Sequence, residues 1–244
     1  MMRGMNVLVI VPTYNERENI EALIRAVLAP RGPCAISLLV VDDNSPDGTA
    51  EAVCRLMKDP SLQGRLSLLN REKKDGLAAA YVAGLSWGLK REFDLFVEMD
   101  ADLSHDPRYL PLLVEKSRQF DFVIGSRYVK GGGVADWCML RRLLSRAGSL
   151  YARIVLGSPI RDLTGGFNAW NRAVFEKVDL ADIRSTGYCF QIELKYRAVL
   201  NGFSWVEVPI LFKDRVHGRS KISGAIAMEA MRNVLLLPLR VARG

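Results

Sequence analysis

Val97-Glu-Met-Asp-Ala-Asp-Leu-Ser-His-Asp-Pro107 is the stretch around which the fold of this chain is organised. With Leu95 and Phe96 it forms a short apolar run, typical of a buried strand, that ends abruptly in acids. In an extended chain, side chains two residues apart point to the same side, so Asp100 and Asp102 can converge on one point. Two carboxylates at the carboxyl edge of a parallel sheet suit Mg2+ or Mn2+, which in turn would hold phosphate oxygens. An isolated Asp-x-Asp is a weak motif, and acids that merely solvate a strand end are the alternative.

The sequence before and after this stretch alternates between strand and helix patterns. The predicted strands are short apolar runs over Val7–Val11, Leu38–Val41, Leu66–Leu69, Asp94–Met99 and Phe120–Gly125. The predicted helices have apolar residues at helical spacing; they follow Asn15, start at a capping Thr49, and span Leu77–Leu89 and Pro107–Lys116. This alternation predicts an α/β fold with a mostly parallel, doubly wound sheet. Its ligand site is expected at the carboxyl ends of the strands.

The pattern changes after about residue 130. Helices are predicted over Leu140–Leu156 and Tyr188–Leu200, a loop over Asp162–Asn168, a strand over Trp205–Phe212, and a mobile basic loop over Lys213–Ser223. A final amphipathic stretch runs from Ile222 to Leu237. We therefore expect one domain over residues 1–223 and an amphipathic, interfacial tail over residues 224–244.

The charge of the chain points to anionic partners. Its formal net charge is +7, and part of the excess lies in one segment, where a single acid, Asp136, faces seven basic residues: Arg127, Lys130, Arg141, Arg142, Arg146, Arg153 and Arg161. Phosphorylated ligands, an anionic membrane surface and nucleic acid all fit such a cluster. The aromatic residues that usually accompany nucleic-acid binding are few in this segment, so we expect no nucleic acid.

Composition limits the cellular setting and the chemistry. No window approaches the roughly 20 apolar residues that a membrane span needs, and the apolar run at Val7 is too short for a signal peptide. The four cysteines are scattered, which predicts reduced thiols in the cytoplasm. The chain has only two histidines, which disfavours a zinc site or a Ser-His-Asp triad.

Several motifs, taken together, resemble a known family. Three of them resemble the inverting glycosyltransferases of family 2: Val11-Pro-Thr-Tyr-Asn-Glu16, Val41-Asp-Asp-Asn-Ser-Pro-Asp-Gly-Thr49 and Asp100-Ala-Asp-Leu-Ser-His105. Three more are Gly125-Ser-Arg-Tyr128, Asp162-Leu-Thr-Gly-Gly-Phe167 and Asp214-Arg-Val-His-Gly-Arg-Ser-Lys221. With these, the chain closely resembles the dolichol-phosphate (polyprenol-phosphate) mannosyltransferases, which move mannose from GDP-mannose to a lipid phosphate. The resemblance runs from Val7 to Ser223 and implies a single GT-A domain.

The resemblance also implies roles for individual residues. The nucleoside would be held by Pro12, Tyr14, Glu16, Val41 and Asp43. The metal would be held by Asp100 and Asp102, with the backbone of Ala101 beside the donor diphosphate. The diphosphate and the acceptor phosphate would be surrounded by Arg127, Arg215 and Lys221, which with Asp102 form the catalytic set. Acceptor-phosphate contacts are implied for Arg127, Arg141 and Ser145. Some relatives complete the metal shell with a Gln at the position of Ser104, a weaker ligand.

The implied partners are GDP-mannose, a polyprenyl or dolichyl phosphate, and the cytoplasmic face of a membrane, reached peripherally. A separate membrane anchor protein is a further candidate partner. The alternatives are the same fold using UDP-glucose or another nucleotide sugar, or a non-lipid acceptor. A nucleotidyltransferase or a dehydrogenase would need a glycine-rich loop after the first strand, where this chain has Pro12-Thr-Tyr-Asn-Glu16.

Overall fold

The computed structural model describes residues 4–29, 34–187, 189–214 and 224–241, with side chains from residue 230 onward in the last range. The strands of the described residues are β1 (Asn6–Thr13), β2 (Ala35–Asp42), β3 (Leu66–Asn70), β4 (Leu95–Glu98), β5 (Phe122–Ser126), β6 (Gly133–Val134), β7 (Asn168–Asn171), β8 (Trp205–Pro209) and β9 (Leu211–Phe212). The helices are α1 (Ile20–Leu28), α2 (Thr49–Leu56), α3 (Leu77–Leu89), α4 (Leu110–Lys116), α5 (Met139–Leu156), α6 (Arg172–Lys177), α7 (Cys189–Leu200) and α8 (Gly224–Val241). Two short 3₁₀ turns span Pro107–Tyr109 and Leu180–Asp182.

The main sheet has the strand order β3-β2-β1-β4-β7-β5-β8, and a small second sheet pairs β6 with β9. All pairs are parallel except those of β7, which runs antiparallel to both β4 and β5. The prediction of an α/β fold with a mostly parallel sheet is therefore confirmed. Because β7 is reversed, its first residue, Asn168, pairs with Glu98 at the carboxyl end of β4. The segment before Asn168 consequently reaches the functional edge of the sheet.

The continuous apolar runs of the strands are explained by helices on both faces of the sheet. Along β1, Val7 and Val9 pack into one hydrophobic cluster with α1, α2 and α4. Leu8 and Ile10 pack into a second cluster with α3, α5, α7 and α8. Since successive side chains of a strand point to opposite faces, a strand that is buried on both faces is apolar at nearly every position.

The structure corrects three local predictions. Thr49 is not the cap of α2: the N-cap position is Gly48, with a φ of +85°, and the Thr49 hydroxyl donates to Asp47 Oδ1. The strand predicted over Trp205–Phe212 is two strands in two sheets, β8 beside β5 and β9 beside β6. Strand β7 was not predicted, because Asn168-Ala-Trp-Asn171 has polar ends and no apolar run.

The C-terminal helix α8 packs on the body of the domain. Val234 and Leu237 are buried in the cluster formed with α5 and α7, and the Tyr151 hydroxyl donates to the carbonyl of Met231. The predicted amphipathic stretch thus forms a helix that covers part of the core. Among the described residues, no helix has the length and apolar character needed to cross a bilayer.

Candidate functional site

The ends of β1 and β2 form the first corner of the site. Asp42, fully buried, accepts hydrogen bonds from the Thr13 hydroxyl (2.7 Å) and from the backbone N–H and hydroxyl of Ser45 (2.8 and 2.7 Å). These bonds fix the turn that begins with Asp43, whose carboxylate lies 2.6 Å from Arg71 Nη1. Burial raises the pKa of Asp43, and the Arg71 guanidinium opposes this shift. Arg71 therefore favours the anionic form of Asp43 against the effect of burial.

The other predicted nucleoside contacts lie at the same corner. Pro12 and Val41 are register partners on neighbouring strands, and the Val41 side chain is fully buried, so only its backbone can face a ligand. The Glu16 backbone N–H donates to the Thr49 hydroxyl at 3.1 Å. The ammonium of Lys74 lies 3.7 Å from the centroid of the Tyr14 ring.

The acidic turn after β4 is held in an uncommon backbone conformation. Leu103, between Asp102 and Ser104, has a φ of +61°, a left-handed conformation that costs energy for a residue other than glycine. Asp102 Oδ1 accepts from both the backbone N–H and the hydroxyl of Ser104. The Ser104 hydroxyl thus orients the Asp102 carboxylate, which is buried.

Asp100 is supported by His105, for which the sequence analysis predicted no role of its own. The Asp100 backbone N–H donates to Nδ1 of His105 at 3.1 Å, so the imidazole is neutral with its proton on Nε2. Burial lowers the pKa of His105. The ring stacks on Phe167, with ring centroids 5.0 Å apart, and meets the edge of Phe212. His105 therefore ties the acidic turn to the segments around Phe167 and Phe212.

The residues of the acidic turn fit a divalent ion that is shared with a substrate. No cluster of three or more His, Cys, Asp or Glu side chains suited to a metal ion occurs in the part of the chain that the structure describes. Mg2+ in phosphate sites is usually held by one or two carboxylates together with substrate phosphates, rather than by a cage of protein ligands. Asp100, which is partly exposed, and Asp102 match that type of site.

Arg127 lies in a buried ion pair. Its Nε and Nη2 donate to the two Asp162 carboxylate oxygens at 2.9 and 2.7 Å, and Nη2 also donates to the Thr164 hydroxyl at 2.9 Å. Burial alone would raise the pKa of Asp162, but the guanidinium outweighs it and holds the pKa below its usual value. The structure therefore places Arg127 behind the loop of residues 162–166, where it anchors that loop.

The two other predicted acceptor contacts lie one helical turn apart on α5. Arg141 Nη1 lies 2.9 Å from each Asp214 carboxylate oxygen, and its guanidinium carbon lies 4.1 Å from the centroid of the Trp137 ring. The Ser145 hydroxyl accepts from Tyr128 at 2.6 Å. Arg215 and Lys221 lie outside the described residues, as do residues 215–223 of the loop predicted over Lys213–Ser223.

A buried lysine that the sequence reasoning did not single out holds the same loop from behind. The Lys195 ammonium donates to the carbonyls of Asp162, Leu163 and Gly165 at 3.3, 3.2 and 2.6 Å. Burial lowers the pKa of Lys195 to about 8, against the attraction of Asp162 and Glu98. A Cβ added to the next residue, Gly166, would lie 3.8 Å from Asp100 Oδ1. The loop anchored by Lys195 and Arg127 is thus part of the wall around Asp100.

Helix α5 exposes large apolar side chains beside this polar site. Their exposed fractions run from 52% for Leu150 to 84% for Met139, and the full set is Met139, Leu140, Leu143, Leu144, Leu150 and Ile154. On α8, Met231, Leu235 and Leu239 are exposed at a spacing of four residues. Contiguous exposed apolar surface of this kind marks an interaction site for a membrane or a protein.

Comparison with known proteins places the chain in a family. The sequence profile of "Glycosyl transferase family 2" matches residues 8–179. The chain belongs to glycosyltransferase family 2. This family 2 member is 48% identical over 231 residues to a polyprenol monophosphomannose synthase of Mycolicibacterium smegmatis, covering 93% of this chain and 84% of the relative. It is 47% identical over 231 residues to an undecaprenyl-phosphate mannosyltransferase of Micrococcus luteus, covering 94% and 93%.

Solved structures with the same fold include an enzyme in complex with metal ions and a nucleotide. Glucosyl-3-phosphoglycerate synthase of Mycobacterium tuberculosis, in complex with Mn2+, UDP and glucosyl-3-phosphoglycerate, has a TM-score of 0.69 at 19% identity, covering 98% of this chain and 81% of that one. The same enzyme with Mg2+ and UDP has a TM-score of 0.68 at 19% identity, covering 98% and 80%. At this identity the likeness shows the fold.

Proposed function

We propose that this glycosyltransferase moves mannose from GDP-mannose to a polyprenyl monophosphate. The observation that carries the proposal is a juxtaposition: the acidic turn of Asp100 and Asp102 meets, through the loop of residues 162–166, a helix that combines arginines with exposed leucines. A polar donor edge next to an amphipathic face suits a reaction between a nucleotide sugar and a lipid phosphate. The names of the two relatives with 48% and 47% identity describe the joining of mannose to a polyprenyl phosphate, and GDP-mannose as the donor is inferred from the sequence resemblance.

The donor would lie across the carboxyl ends of β1, β2 and β4. Its nucleoside would lie among Pro12, Tyr14, Glu16, the backbone of Val41, and Asp43. Its diphosphate would lie at Asp100, Ala101 and Asp102, which would hold Mg2+ or Mn2+; the ion, when bound, supplies positive charge to the leaving diphosphate. Arg215 and Lys221 would add cationic charge there, by the resemblance to the mannosyltransferases.

The acceptor phosphate would be bound by Arg141 and Ser145, with the buried Arg127 adding positive charge beneath them. A phosphate monoester has a second pKa of about 6, so it is largely dianionic near neutral pH. Such a nucleophile needs no protein base to remove a proton. The task of the protein is to hold two anions together, for which guanidinium groups are suited by charge and by their planar geometry. Direct displacement would convert an α-linked donor into a β-linked lipid product.

The membrane would be reached peripherally, at its cytoplasmic face. The exposed apolar side chains of α5 and α8 would enter the interface, while the arginines of α5 would meet anionic headgroups. The lipid tail of the acceptor would then remain in the bilayer while its phosphate meets Arg141.

A donor and acceptor screen tests the proposal. Purified protein is incubated with Mg2+ or Mn2+, a short polyprenyl phosphate, and radiolabelled GDP-mannose, UDP-glucose or UDP-GlcNAc, and labelled lipid is counted. We expect label transfer from GDP-mannose alone, and none when the acceptor is a polyprenol without phosphate. Transfer from UDP-glucose in preference to GDP-mannose would refute the donor assignment, and transfer to a water-soluble sugar but not to the lipid would refute the acceptor.

A further inference from the structure

A groove of about 450 Å³ lies beside α5 and is not used by the proposed reaction. Three arginines line it, Arg146, Arg153 and Arg161, together with Leu143 and Leu150. Its volume falls within the range of ordinary small-ligand sites, roughly 300–1,000 Å³. The groove therefore combines a concentrated positive charge with an apolar rim.

The arginines of the groove are not neutralised by neighbouring carboxylates. None of the three takes part in an ion pair with any residue that the structure describes, and no acid lines the groove. Within that same part of the chain, Nε of Arg153 is buried without a hydrogen-bond partner. The carboxylate of Glu207 accepts from the backbone N–H of Arg161, not from its guanidinium. By contrast, Arg127 and Arg141 are both paired with aspartates.

The groove adjoins the proposed acceptor contacts through Tyr128, which lines it and donates to Ser145, but its arginines lie on a different side of α5 from Arg141. At 100° per residue, Arg146 and Arg153 are only about 20° apart around α5, whereas Arg141 lies about 140° from Arg146. The side of α5 that has Arg146 and Arg153 continues into the exposed row of Leu143 and Leu150, which are 64% and 52% exposed. The groove thus opens toward the face that is proposed to meet the membrane.

We propose that this groove binds the phosphate headgroup of an anionic phospholipid, separately from the polyprenyl phosphate acceptor. Guanidinium groups bind phosphate oxygens in a bidentate manner, and the leucines at the rim would contact the upper part of the acyl chains. A bound phospholipid would fix the rotation of α5 on the bilayer surface. The inference rests on the proposed function in one respect, that the enzyme works at a membrane.

Vesicle co-sedimentation tests the groove without using the reaction. Phosphatidylcholine vesicles are prepared with and without phosphatidylglycerol, and none contains polyprenyl phosphate. The test variant is Arg146→Gln/Arg153→Gln/Arg161→Gln, and its control is Arg55→Gln/Arg118→Gln/Arg184→Gln, which removes the same charge from exposed arginines elsewhere. Each basic residue at an anionic surface contributes about fivefold in affinity, so we expect the test variant to bind phosphatidylglycerol vesicles about a hundredfold more weakly, and the control variant to bind like the wild type.

A second variant and a separate assay complete the test. Arg146→Gln/Arg161→Gln leaves the partly buried Arg153 in place and covers the case in which the triple variant does not fold; it should lose about 25-fold. Turnover of GDP-mannose on a short polyprenyl phosphate in detergent should be unchanged in both variants.

Two outcomes would overturn the proposal. The first is equal vesicle binding by the test and control variants. The second is intact vesicle binding by the test variant with a raised KM for the acceptor, which would assign the groove to the acceptor instead. If the wild type binds these vesicles but transfers no mannose, the proposed function is refuted while the proposal about the groove is not.

Discussion

At the scale of single residues, the site depends on side chains that support others. His105 and Ser104 hold the acidic turn, and Arg127 and Lys195 hold the loop that faces it. These supporting residues are buried, so they act by fixing positions, while Asp100, Arg141 and Ser145 are at least partly exposed and able to meet substrates. Substitutions in the two groups should therefore have different signatures.

Asp102→Asn should abolish transfer while leaving the fold intact. The amide oxygen can still accept the Ser104 hydrogen bonds, but the negative charge needed for a divalent ion is lost. Removal of one group that stabilises charge in a transition state, such as an oxyanion-hole donor, typically costs about 10²–10³ in kcat, and a loss at least this large is expected here. Steady-state kinetics over a range of Mg2+ and Mn2+ concentrations measures this. The control is Asp106→Asn, a neighbouring acid that caps the 3₁₀ turn; full turnover by the Asp102 variant would contradict the prediction.

Lys195→Met should lower both the free energy of unfolding and kcat. It removes the three hydrogen bonds to the loop carbonyls and the buried positive charge near Glu98 and Asp162, although Asp162 keeps its ion pair with Arg127. Loss of one partner from a buried charge network costs roughly 3–5 kcal/mol. Urea unfolding measures the stability, and kcat is measured below the unfolding transition. Glu193→Gln is the control, because it breaks a buried ion pair with Arg197 on the same helix, away from the loop. If both variants lose kcat equally, Lys195 has only a structural role.

The pH dependence of stability tests the same lysine. Its pKa falls from the ordinary 10.5 to about 8 in the folded protein, so between these values the unfolded chain binds a proton that the folded protein lacks. The cost of burying the ammonium is full below pH 8 and is relieved as the pH rises. The difference in unfolding free energy between wild type and Lys195→Met should therefore increase in favour of the wild type from about pH 8 upward. A difference that does not change with pH would contradict this.

At the scale of elements, α3 and α5 differ in how closely they pack against the rest of the domain. Helix α3 lies close against the sheet, where a Cβ on Gly84 would meet Ile10 Cγ2 at 2.5 Å and Val41 Cγ2 at 3.0 Å. Helix α5 has a glycine with nothing near it, Gly148. Gly84 therefore permits close packing of α3 on the sheet, whereas Gly148 has no such packing role, although both lie inside helices.

Gly84→Ala and Gly148→Ala should change stability in opposite directions. Alanine favours a helix over glycine by about 1 kcal/mol, and this gain should appear at Gly148. At Gly84 the stiff β-branched side chains on β1 and β2 cannot move away, so overpacking should cost about 1–3 kcal/mol. Chemical denaturation of both variants measures the two effects. A stabilising Gly84→Ala would show that α3 does not lie as close to the sheet as the structure places it.

Leu237→Ala and Leu235→Ala test whether α8 belongs to the folded domain. Leu237 is 2% exposed in the cluster with α5 and α7, so truncation should cost about 2–5 kcal/mol. Leu235, two residues earlier, is 59% exposed, and its truncation should stay within about 0.5 kcal/mol. Thermal and urea unfolding measure both variants. Equal, small effects would show that α8 is an appended tail rather than part of the core.

At the scale of the whole molecule, polar chemistry and apolar surface lie on adjoining parts of one domain. The carboxyl edge of the sheet collects Asp43, Asp100 and Asp102, and α5 adjoins that edge through its contact between Ser149 and Thr164. A membrane docked on the outer face of α5 would place lipid phosphates near the same edge. The architecture thus suits a substrate that is partly lipid and partly charged.

The exposed apolar side chains of α5 should provide the part of membrane binding that high salt does not remove. Ionic attraction is screened at high ionic strength, whereas apolar insertion is not. In vesicle co-sedimentation at high salt, Leu140→Gln/Leu144→Gln/Ile154→Gln should lose the residual binding of the wild type, with an unfolding free energy unchanged to about 0.5 kcal/mol per site. Met57→Gln/Leu200→Gln is the control on other exposed apolar residues. If the variant instead lost a dimer that the wild type forms in size-exclusion chromatography, with vesicle binding intact, these side chains would belong to a protein interface.

The sequence by itself determined the parts of the protein that depend on neighbouring residues. Strands β1 to β5 were predictable because each is a local apolar run, and the acidic turn was predictable because the run ends in Asp100 and Asp102. The carboxyl edge as the site followed from the alternation of strands and helices. Helix α5 was predictable from its spacing of leucines and arginines, almost to the residue.

Only the tertiary structure decided the features that join distant parts of the chain. The pairing of Arg127 with Asp162 spans 35 residues, and the contact of Lys195 with the loop carbonyls spans 30 to 33. The insertion of β7 between β4 and β5 depends on partners far away on both sides. No local periodicity records such contacts, because each of these residues is polar and its burial is stabilised only by a partner brought in by the fold. For that reason the ends of the strands could be read from the sequence, whereas the network that holds them in place could not.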